Sequence, residues 1–341
     1  MYAQSTGKES LREIETGLKT HTQIWNHLGI QTVAKSSLAR ANDGRSYKIF
    51  EALFYELLKN CQSCCVNRTF TFENPLYALD ATTIALCLNL CDWAHYQRTK
   101  GAVKLHTLLN NRTNIPELIT VSTGKVADVT AAKALSLSIP LGSIIVFDRG
   151  YQDYTWWNQL NTDGLFFVTR PRANSLFIVS SIHAPATGII LADEKVWLGD
   201  IMKARYPHEI RRVTYLHDDG IVYQYLTNNF VRSGIEIALV YKDRWRIELF
   251  FKWIKQNLKI KSFLGTSQNA VLSQLWVAMI YYLLLSYIKF QTRFPRSLLE
   301  LTRMVRETLF VRRSLIDLLS LSTETVSRLD TKVVVQARLE F

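Results

Sequence analysis

Three acidic residues of this 341-residue chain occupy positions where a carboxylate could do chemistry. Asp80 interrupts an apolar segment, Asp148 directly follows another, and Glu248 lies in a segment rich in Lys and Arg. Taken singly, each Asp is more typical of a turn or a helix cap. Together the three would form the oxygen-rich site that Mg²⁺ prefers. Two such ions can activate a water or a 3′-hydroxyl in phosphoryl transfer.

Residues 241–260 predict a helix with one cationic stripe. At about 100° per residue, six side chains fall within an arc of about 80°. These are Tyr241, Arg244, Glu248, Lys252, Lys255 and Lys259. Pairs such as Glu248–Lys252 are also typical of an ordinary solvent-exposed face. However, residues 242–261 carry seven cationic and two acidic side chains. This excess indicates an anionic partner, for which a phosphate backbone is the natural candidate.

The composition supports a globular protein with an anionic partner. Hydrophobic residues make up 48% of the chain and charged residues 21%, which excludes intrinsic disorder. The net charge of +12 favours nucleic acid first and an anionic membrane surface second. The five cysteines are an odd number, and the Cys61-x-x-Cys64 spacing has no second pair to complete a zinc site. We therefore expect a reducing, cytoplasmic location.

The elements that must position these residues follow from hydrophobic periodicity. The pattern of residues 1–70 predicts helices, one of which Ser10 is expected to cap. A plain helical subdomain is favoured over a DNA-binding helix-turn-helix. Five strands are predicted at 77–84, 102–108, 117–122, 143–147 and 164–169. Asp128 is predicted to cap a helix that ends near Leu137. The pattern indicates an α/β fold with a mixed sheet flanked by helices.

Two further segments have distinct patterns. Residues 171–235 alternate polar and apolar side chains between Gly and Pro, which predicts a β-rich insertion. The apolar run 271–288 has the length of a membrane span, but polar residues interrupt it. We interpret this run as a buried core helix.

Three motifs carry a resemblance to a known family. They are Leu79-Asp80-Ala81-Thr82, Phe147-Asp148-Arg149-Gly150-Tyr151 and Tyr241-x2-Arg244-x3-Glu248-x6-Lys255. The last resembles the YREK signature of DDE transposases of the IS-four kind, which bacterial insertion sequences encode. The first two resemble the Asp motifs of that family. The interval of 100 residues between Asp148 and Glu248 resembles its long spacing, which accommodates a β-strand insertion.

The resemblance implies a domain organisation and a site. It implies a ribonuclease H-like catalytic core at 71–170 and 236–290, around the insertion at 171–235. A helical, DNA-binding-like subdomain at 1–70 and a helical segment at 291–341 would flank this core. Asp80, Asp148 and Glu248 would be catalytic metal ligands for Mg²⁺, with Mn²⁺ as a substitute. Tyr241, Arg244 and Lys255 would contact DNA, and the helical stripe adds Lys252 and Lys259.

The implied activity is strand cleavage and strand transfer at terminal inverted repeats. The expected partners are double-stranded DNA, at element ends and target, and a second copy of the chain, since two ends must be held together. No membrane partner is expected, and the location would be the bacterial cytoplasm at the nucleoid. A nuclease of the same fold and a non-catalytic DNA-binding remnant are the alternatives.

Two details depart from the family pattern. Similar proteins usually carry more sequence before the position that matches Met1, which predicts a truncated copy or a start assigned too late. In some relatives a Trp of the insertion helps to hold a flipped base during a hairpin pathway. Trp197 lies in the predicted insertion, but no motif identifies its role. A structural position, in the hydrophobic core or in a β-hairpin of the protein, is favoured over a role in holding a base.

Overall fold

The structure is a computed structural model that falls into two compact units. It describes residues 1–22, 25, 29, 31–64, 74–87, 89, 91–97, 100–135, 137–258, 260 and 262–310. The larger unit lies within residues 66–261 and 266–272, and the smaller within 1–65, 262–265 and 273–341.

Ten strands lie among the described residues of the larger unit. They are β1 (Leu76–Leu86), β2 (His95–Gln97), β3 (Lys100–Asn110), β4 (Ile115–Thr123), β5 (Ile144–Phe147), β6 (Phe166–Thr169), β7 (Phe177–Ala184), β8 (Ile190–Leu198), β9 (Ile210–Leu216) and β10 (Val222–Thr227). All belong to one sheet in the order β2-β3-β1-β5-β6-β10-β9-β8-β7, and β4 also pairs with β3.

The helices divide between the units. The smaller unit holds α1 (Tyr2–Thr6), α2 (Leu11–Lys19), α3 (Lys35–Gly44), α4 (Lys48–Cys64) and α11 (Leu298–Thr308). The larger unit holds α5 (Asp128–Ala134), α6 (Tyr154–Thr162), α7 (Asp200–Lys203), α8 (Gly234–Lys242) and α9 (Trp245–Asn257). Helix α10 (Gln268–Gln291) begins in the larger unit and continues in the smaller.

The sheet is mixed, and its parallel part lies at the centre. Strand β1 pairs antiparallel with β3 and parallel with β5, and β5 pairs parallel with β6. Parallel neighbours need a crossover connection, which α6 provides between β5 and β6. All four residues of β5 are buried, as expected for a continuous apolar strand covered on both faces. The predicted mixed sheet flanked by helices is therefore confirmed.

The β-rich segment after residue 170 continues this same sheet. Strand β10 pairs antiparallel with β6, and β9, β8 and β7 follow in antiparallel order. Helix α8 packs against β6, β8, β9 and β10, so it covers one face of this extension. The strands between the second Asp and Glu248 therefore build the surface that carries α8.

A buried ion pair stabilises the extension beneath α8. The guanidinium of Arg211 donates to both carboxylate oxygens of Asp193, at 2.8 and 2.6 Å. It also donates to the carbonyl oxygens of Asn229, at 3.1 Å, and Arg232. Arg211 and Asp193 are 1% and 2% exposed, so both charges depend on each other for neutralisation.

The predicted cap at Asp128 is wrong. Helix α5 starts at Asp128 itself, after Ala127, whose side chain makes no cap bond. The Asp128 carboxylate instead accepts from Lys104 Nζ at 3.0 Å, and Lys104 also donates to the Val126 carbonyl. An ammonium on the neighbouring strand therefore draws the carboxylate away from the helix N-terminus. The helix ends at Ala134, before Leu137.

The single helix predicted over 241–260 is also wrong. Helix α8 ends at Lys242 and α9 begins at Trp245, with a turn between them. The side-chain amide of Asn111 donates to the Asp243 carbonyl at 3.0 Å, and the Arg244 and Arg246 amides bond three residues back. These contacts tighten the backbone at the turn and end the regular helical hydrogen bonding.

The described elements of the smaller unit are all helices. Ser10 caps α2 by accepting from the Glu13 amide at 3.1 Å, which confirms that prediction. Helix α10 alone among the described helices is long and apolar enough to cross a membrane. Because 72% of its most apolar window is buried inside the protein, it has the character of a core helix.

Candidate active site

Two neighbouring strands place Asp80 and Asp148 side by side. The parallel register of β1 and β5 pairs Leu79 with Phe147, and each Asp is the next residue along the chain, Asp80 within β1 and Asp148 directly after β5. Adjacent strands lie about 4.8 Å apart, which brings the two carboxylates to the same point of the sheet. Ligand sites of α/β sheets usually lie at the carboxyl ends of such strands.

The backbone after β5 holds the second carboxylate. A 3₁₀ turn over Arg149–Tyr151 follows Asp148 immediately. Asp148 Oδ1 accepts a hydrogen bond from the Gly150 amide at 2.8 Å. This bond fixes the carboxylate at the start of the turn, since Asp148 acts as its N-cap.

Helix α9 brings Glu248 to the same place. The helix packs against β1 through a buried face, and Glu248 follows buried Ile247 in its first turn. Arg244 Nη2 donates to Glu248 Oε1 at 2.5 Å, and Arg244 Nη1 lies 3.9 Å from Asp80 Oδ2. The guanidinium of Arg244 therefore connects the carboxylates of β1 and α9.

The electrostatics of Asp80 place all three acids in one neighbourhood. Burial, the largest cause, raises the pKa of Asp80 to about 6. The nearby charges of Asp148 and Glu248 raise this pKa further, whereas the Ala81 amide and Arg244 lower it. Asp80 thus interacts electrostatically with two other carboxylates and one guanidinium. Negative charge accumulates here beyond what a single arginine neutralises.

The donor set fits a hard cation in its chemistry. All three candidate ligands are carboxylates, the type that Mg²⁺ and Mn²⁺ prefer. Within the described ranges, however, no group of three or more His, Cys, Asp or Glu side chains converges on one metal position. Arg244 lies against two of the three acids instead.

Gly150 is the backbone position on which the Asp148 geometry depends. A Cβ atom at residue 150 would lie 2.9 Å from Asp148 Oδ1, closer than real Cβ contacts allow. We expect Gly150→Ala to rotate the Asp148 carboxylate. Where that carboxylate is the metal ligand that the family resemblance implies, the substitution should lower metal-dependent DNA cleavage about 10- to 100-fold, as displaced ligand-orienting groups do. The melting temperature should change little, since the residue lies in a short surface turn.

Cleavage rates and thermal melts of the two proteins check this expectation. Gly220→Ala in a surface turn is not a suitable control, because its φ of +79° makes any side chain strained. Gly199→Ala is suitable, because no atom lies within 4 Å of the added Cβ. Cleavage by Gly150→Ala at the rate of Gly199→Ala would contradict the role given to the turn.

The described candidates for DNA contact lie on α8, on α9 and in the turn between these helices. Tyr241 lies in the last turn of α8, with its ring centre 5.0 Å from that of Tyr225, and the Arg244 guanidinium lies 5.7 Å from the centre of the Tyr241 ring. Lys252 on α9 is exposed, and Lys255 is half-buried. Lys259 lies outside the described residues.

Sequence reasoning missed an aromatic pocket beside Arg244. Its volume is about 310 Å³, and rings from β9, β10 and α8 line it with two arginines. The Arg170 guanidinium lies 4.7 Å from the Tyr223 ring centre. The alternation of Tyr223 and Tyr225 on β10, with Tyr215 opposite Tyr223, was the available signal, because alternate residues share a face.

The structure also describes Trp197 and three of the five cysteines. Lys203 Nζ lies 4.3 Å from the Trp197 ring centre, and Trp197 lines a separate cavity of about 440 Å³. Cys61, Cys87 and Cys91 form no disulfide. Cys65 and the side chain of Cys64 lie outside the described residues.

Comparison with known proteins identifies the family. The family profile described as "Transposase DDE domain" matches residues 71–284. "Putative transposase y4zB" of Sinorhizobium fredii is 36% identical over 245 residues, which cover 70% of this chain and 68% of the relative. "Probable transposase for insertion sequence element IS5377" of Geobacillus stearothermophilus is 28% identical over 250 residues, covering 72% of this chain and 65% of the relative.

A third relative and one solved structure complete the comparison. "Putative transposase for insertion sequence element IS4SA" of a Synechocystis species is 24% identical over 285 residues, covering 82% of this chain and 78% of the relative. A piggyBac transposase synaptic complex with hairpin DNA aligns with a TM-score of 0.49 and 12% identity, over 96% of this chain and 72% of that one. The family profile and the Sinorhizobium relative show that this chain belongs to the DDE transposase family.

Proposed function

We propose that this transposase cleaves DNA at the terminal inverted repeats of an insertion sequence and joins the freed ends to target DNA. The observation that supports the proposal is the register that sets Asp80 beside Asp148, together with the contacts of Arg244 with both Asp80 and Glu248. Two of the relatives above are named for insertion sequence elements, which supports this substrate.

The fold supports a ribonuclease H-like catalytic core. A mixed sheet with a helical crossover between its central parallel strands is the architecture that this assignment requires. The proposed core comprises residues 71–170 and 236–290, with 171–235 as the insertion. The proposal keeps 1–70 as a DNA-binding-like subdomain and 291–341 as a helical C-terminal segment.

The three carboxylates would hold Mg²⁺, or Mn²⁺ in its place. When bound, the cation supplies Lewis-acid stabilisation of the reacting phosphate and a lowered pKa for the attacking water or 3′-hydroxyl. The protein supplies the positions: β1 fixes Asp80, the Gly150 amide fixes Asp148, and α9 fixes Glu248. Pre-set positions reduce the entropy that the reaction must otherwise lose.

The cationic side chains near the site would bind the DNA backbone. Tyr241, Arg244 and Lys255 would contact the element end near the cleaved strand, and Lys252 and Lys259 would extend this contact along the backbone. Double-stranded element ends and target DNA are the proposed partners, and two copies of the chain would hold the two ends together. The proposed location is the bacterial nucleoid.

Replacing Lys252 tests the backbone contact. Lys252→Ala should reduce the slope of log K against log salt by about 0.9, because one phosphate contact releases roughly that many counterions. Fluorescence anisotropy with labelled end DNA at several salt concentrations measures the slope. Lys133→Ala is the control, because Asp153 already neutralises Lys133 at 2.5 Å. An unchanged slope for Lys252→Ala would show that this lysine does not contact a phosphate.

A cleavage and joining assay tests the proposed activity. The full chain is incubated with duplexes that carry the element's terminal repeats, a target plasmid and Mg²⁺ or Mn²⁺. Joined products support the proposal, and cut products without joining indicate a nuclease of the same fold. Salt-sensitive DNA binding without any metal-dependent cutting would indicate a non-catalytic remnant.

A further inference from the structure

We infer that Arg244 couples cation binding to DNA binding, because its guanidinium lies on the carboxylates that the cation would use. DNA would draw Arg244 onto a phosphate, free Asp80 and Glu248, and so raise the affinity of the site for a divalent cation. This inference rests on the proposed function of the three carboxylates.

The contacts of Arg244 make it a competitor for the site. Its guanidinium contacts Glu248 at 2.5 Å and approaches Asp80 within 3.9 Å. The side chain is 17% exposed, Asp80 22% and Glu248 33%, so solvent screens these charges only in part. A divalent cation on the same oxygens would have a like charge beside it, and the two repel.

The position of Arg244 in the chain allows it to change partner. The residue lies in the turn between α8 and α9, so a rotation of its side chain leaves both helices intact. Its Nε is buried and has no hydrogen-bond partner among the described residues, so only part of its donor fork is used. A phosphate offers the planar fork a bidentate partner.

The surface next to Arg244 favours an anionic ligand. Arg244 lines the aromatic pocket together with Arg170 and Lys242, and no Asp or Glu is among the described residues that line it. A DNA phosphate at this rim would meet three cations, and Arg244 could reach it from the position that it holds between the acids. The Arg244 guanidinium therefore lies between the candidate carboxylate site and the cationic side of the aromatic pocket.

Thermodynamic linkage makes the coupling reciprocal. If DNA tightens cation binding by a given factor, the cation must tighten DNA binding by the same factor. The chain would thus hold its cation firmly only when an element end is in place. Such coupling would limit metal-dependent cleavage to the DNA-bound protein.

The probe is Mn²⁺, whose free concentration is measured by electron paramagnetic resonance. The full chain is titrated alone and with a pre-cleaved element-end duplex, and binding of Mn²⁺ to the duplex alone is subtracted. We expect DNA to tighten Mn²⁺ binding about 10-fold in the parent protein, a common size for coupled sites. Arg244→Gln should bind Mn²⁺ about 10-fold more tightly without DNA and gain less than twofold with it.

Two variants control for charge and for folding. Arg246→Gln removes the same charge two residues away, where the guanidinium contacts Asp243 at 3.4 Å, and should behave as the parent. Arg244→Lys keeps the charge and should keep weak binding of Mn²⁺ without DNA. Equal tightening by Arg246→Gln, or no tightening by Arg244→Gln, would overturn the coupling.

Asp80→Asn distinguishes a failure of the proposed coupling from a failure of the proposed metal site. If Asp80→Asn removes Mn²⁺ binding while Arg244→Gln leaves it unchanged, the carboxylate site stands and only the coupling is wrong. If Asp80→Asn binds Mn²⁺ as the parent does, the proposed metal site is wrong, and the coupling fails with it.

Discussion

Glu248→Gln is expected to lower metal-dependent DNA cleavage on the order of 10³-fold, the size typical of losing a main electrostatic group of an active site. The amide keeps the shape of the side chain but removes the charge that a hard cation requires. Binding of element-end DNA should stay within about twofold, because the cationic side chains are unchanged. Gel-based cleavage rates and fluorescence anisotropy measure the two quantities on the same preparation.

Asp243→Asn is the matched control for this loss. Asp243 lies five residues earlier and contacts Arg246 rather than Arg244. Its replacement should leave cleavage within about twofold, since the Asp243–Arg246 ion pair is partly exposed and does not involve the three candidate ligands. Cleavage by Glu248→Gln at the rate of the parent would remove Glu248 from the catalytic set, whatever the control shows.

Asp193→Ala is expected to destabilise the larger unit by about 3–5 kcal/mol, because it leaves the Arg211 guanidinium charged and buried without its partner. For a unit of about 200 residues, this corresponds to a fall in melting temperature of about 10 °C. Thermal unfolding followed by tryptophan fluorescence measures the shift. The sheet extension that carries α8 should be affected most, because the pair lies beneath that helix.

The neighbouring pair offers a control of the same chemistry at lower burial. Arg212 and Glu194 sit one residue further along the same strands, bond at 2.7 Å, and are 18% and 21% exposed. Glu194→Ala should cost at most about 1 kcal/mol, as partly exposed pairs do. The double variant Asp193→Leu with Arg211→Met should be more stable than Asp193→Ala, since it removes both charges. Equal melting temperatures for Asp193→Ala and Glu194→Ala would contradict the importance of burial.

The sequence predicted the sheet well where local pattern decides structure. The apolar run that ends at Phe147 is a buried central strand, and the alternating segments after residue 170 are strands. Helix ends that depend on distant residues were predicted wrongly. Asn111 ends α8 across 132 residues, and Lys104 takes the carboxylate of Asp128 from a neighbouring strand. No local window contains those partners.

In the candidate site too, local motifs predicted the acidic residues, whereas contacts between distant residues were not predicted. The motifs identify Asp80, Asp148 and Glu248, and the parallel register explains why the first two meet. The link that Arg244 makes between β1 and α9 joins residues 164 positions apart and could not be read from spacing. The tyrosine pocket depends on the register of β9 and β10, which side-chain alternation alone leaves open.

The most direct test of the account locates the cation itself. Crystals of the chain with element-end DNA are soaked in Mn²⁺, and anomalous difference density is measured at the manganese edge. We expect a manganese peak about 2.1 Å from carboxylate oxygens of Asp80, Asp148 and Glu248, with the Arg244 guanidinium bound to a DNA phosphate. A peak held by other residues, or bound DNA with Arg244 still on Glu248 and no peak at the three acids, would contradict it.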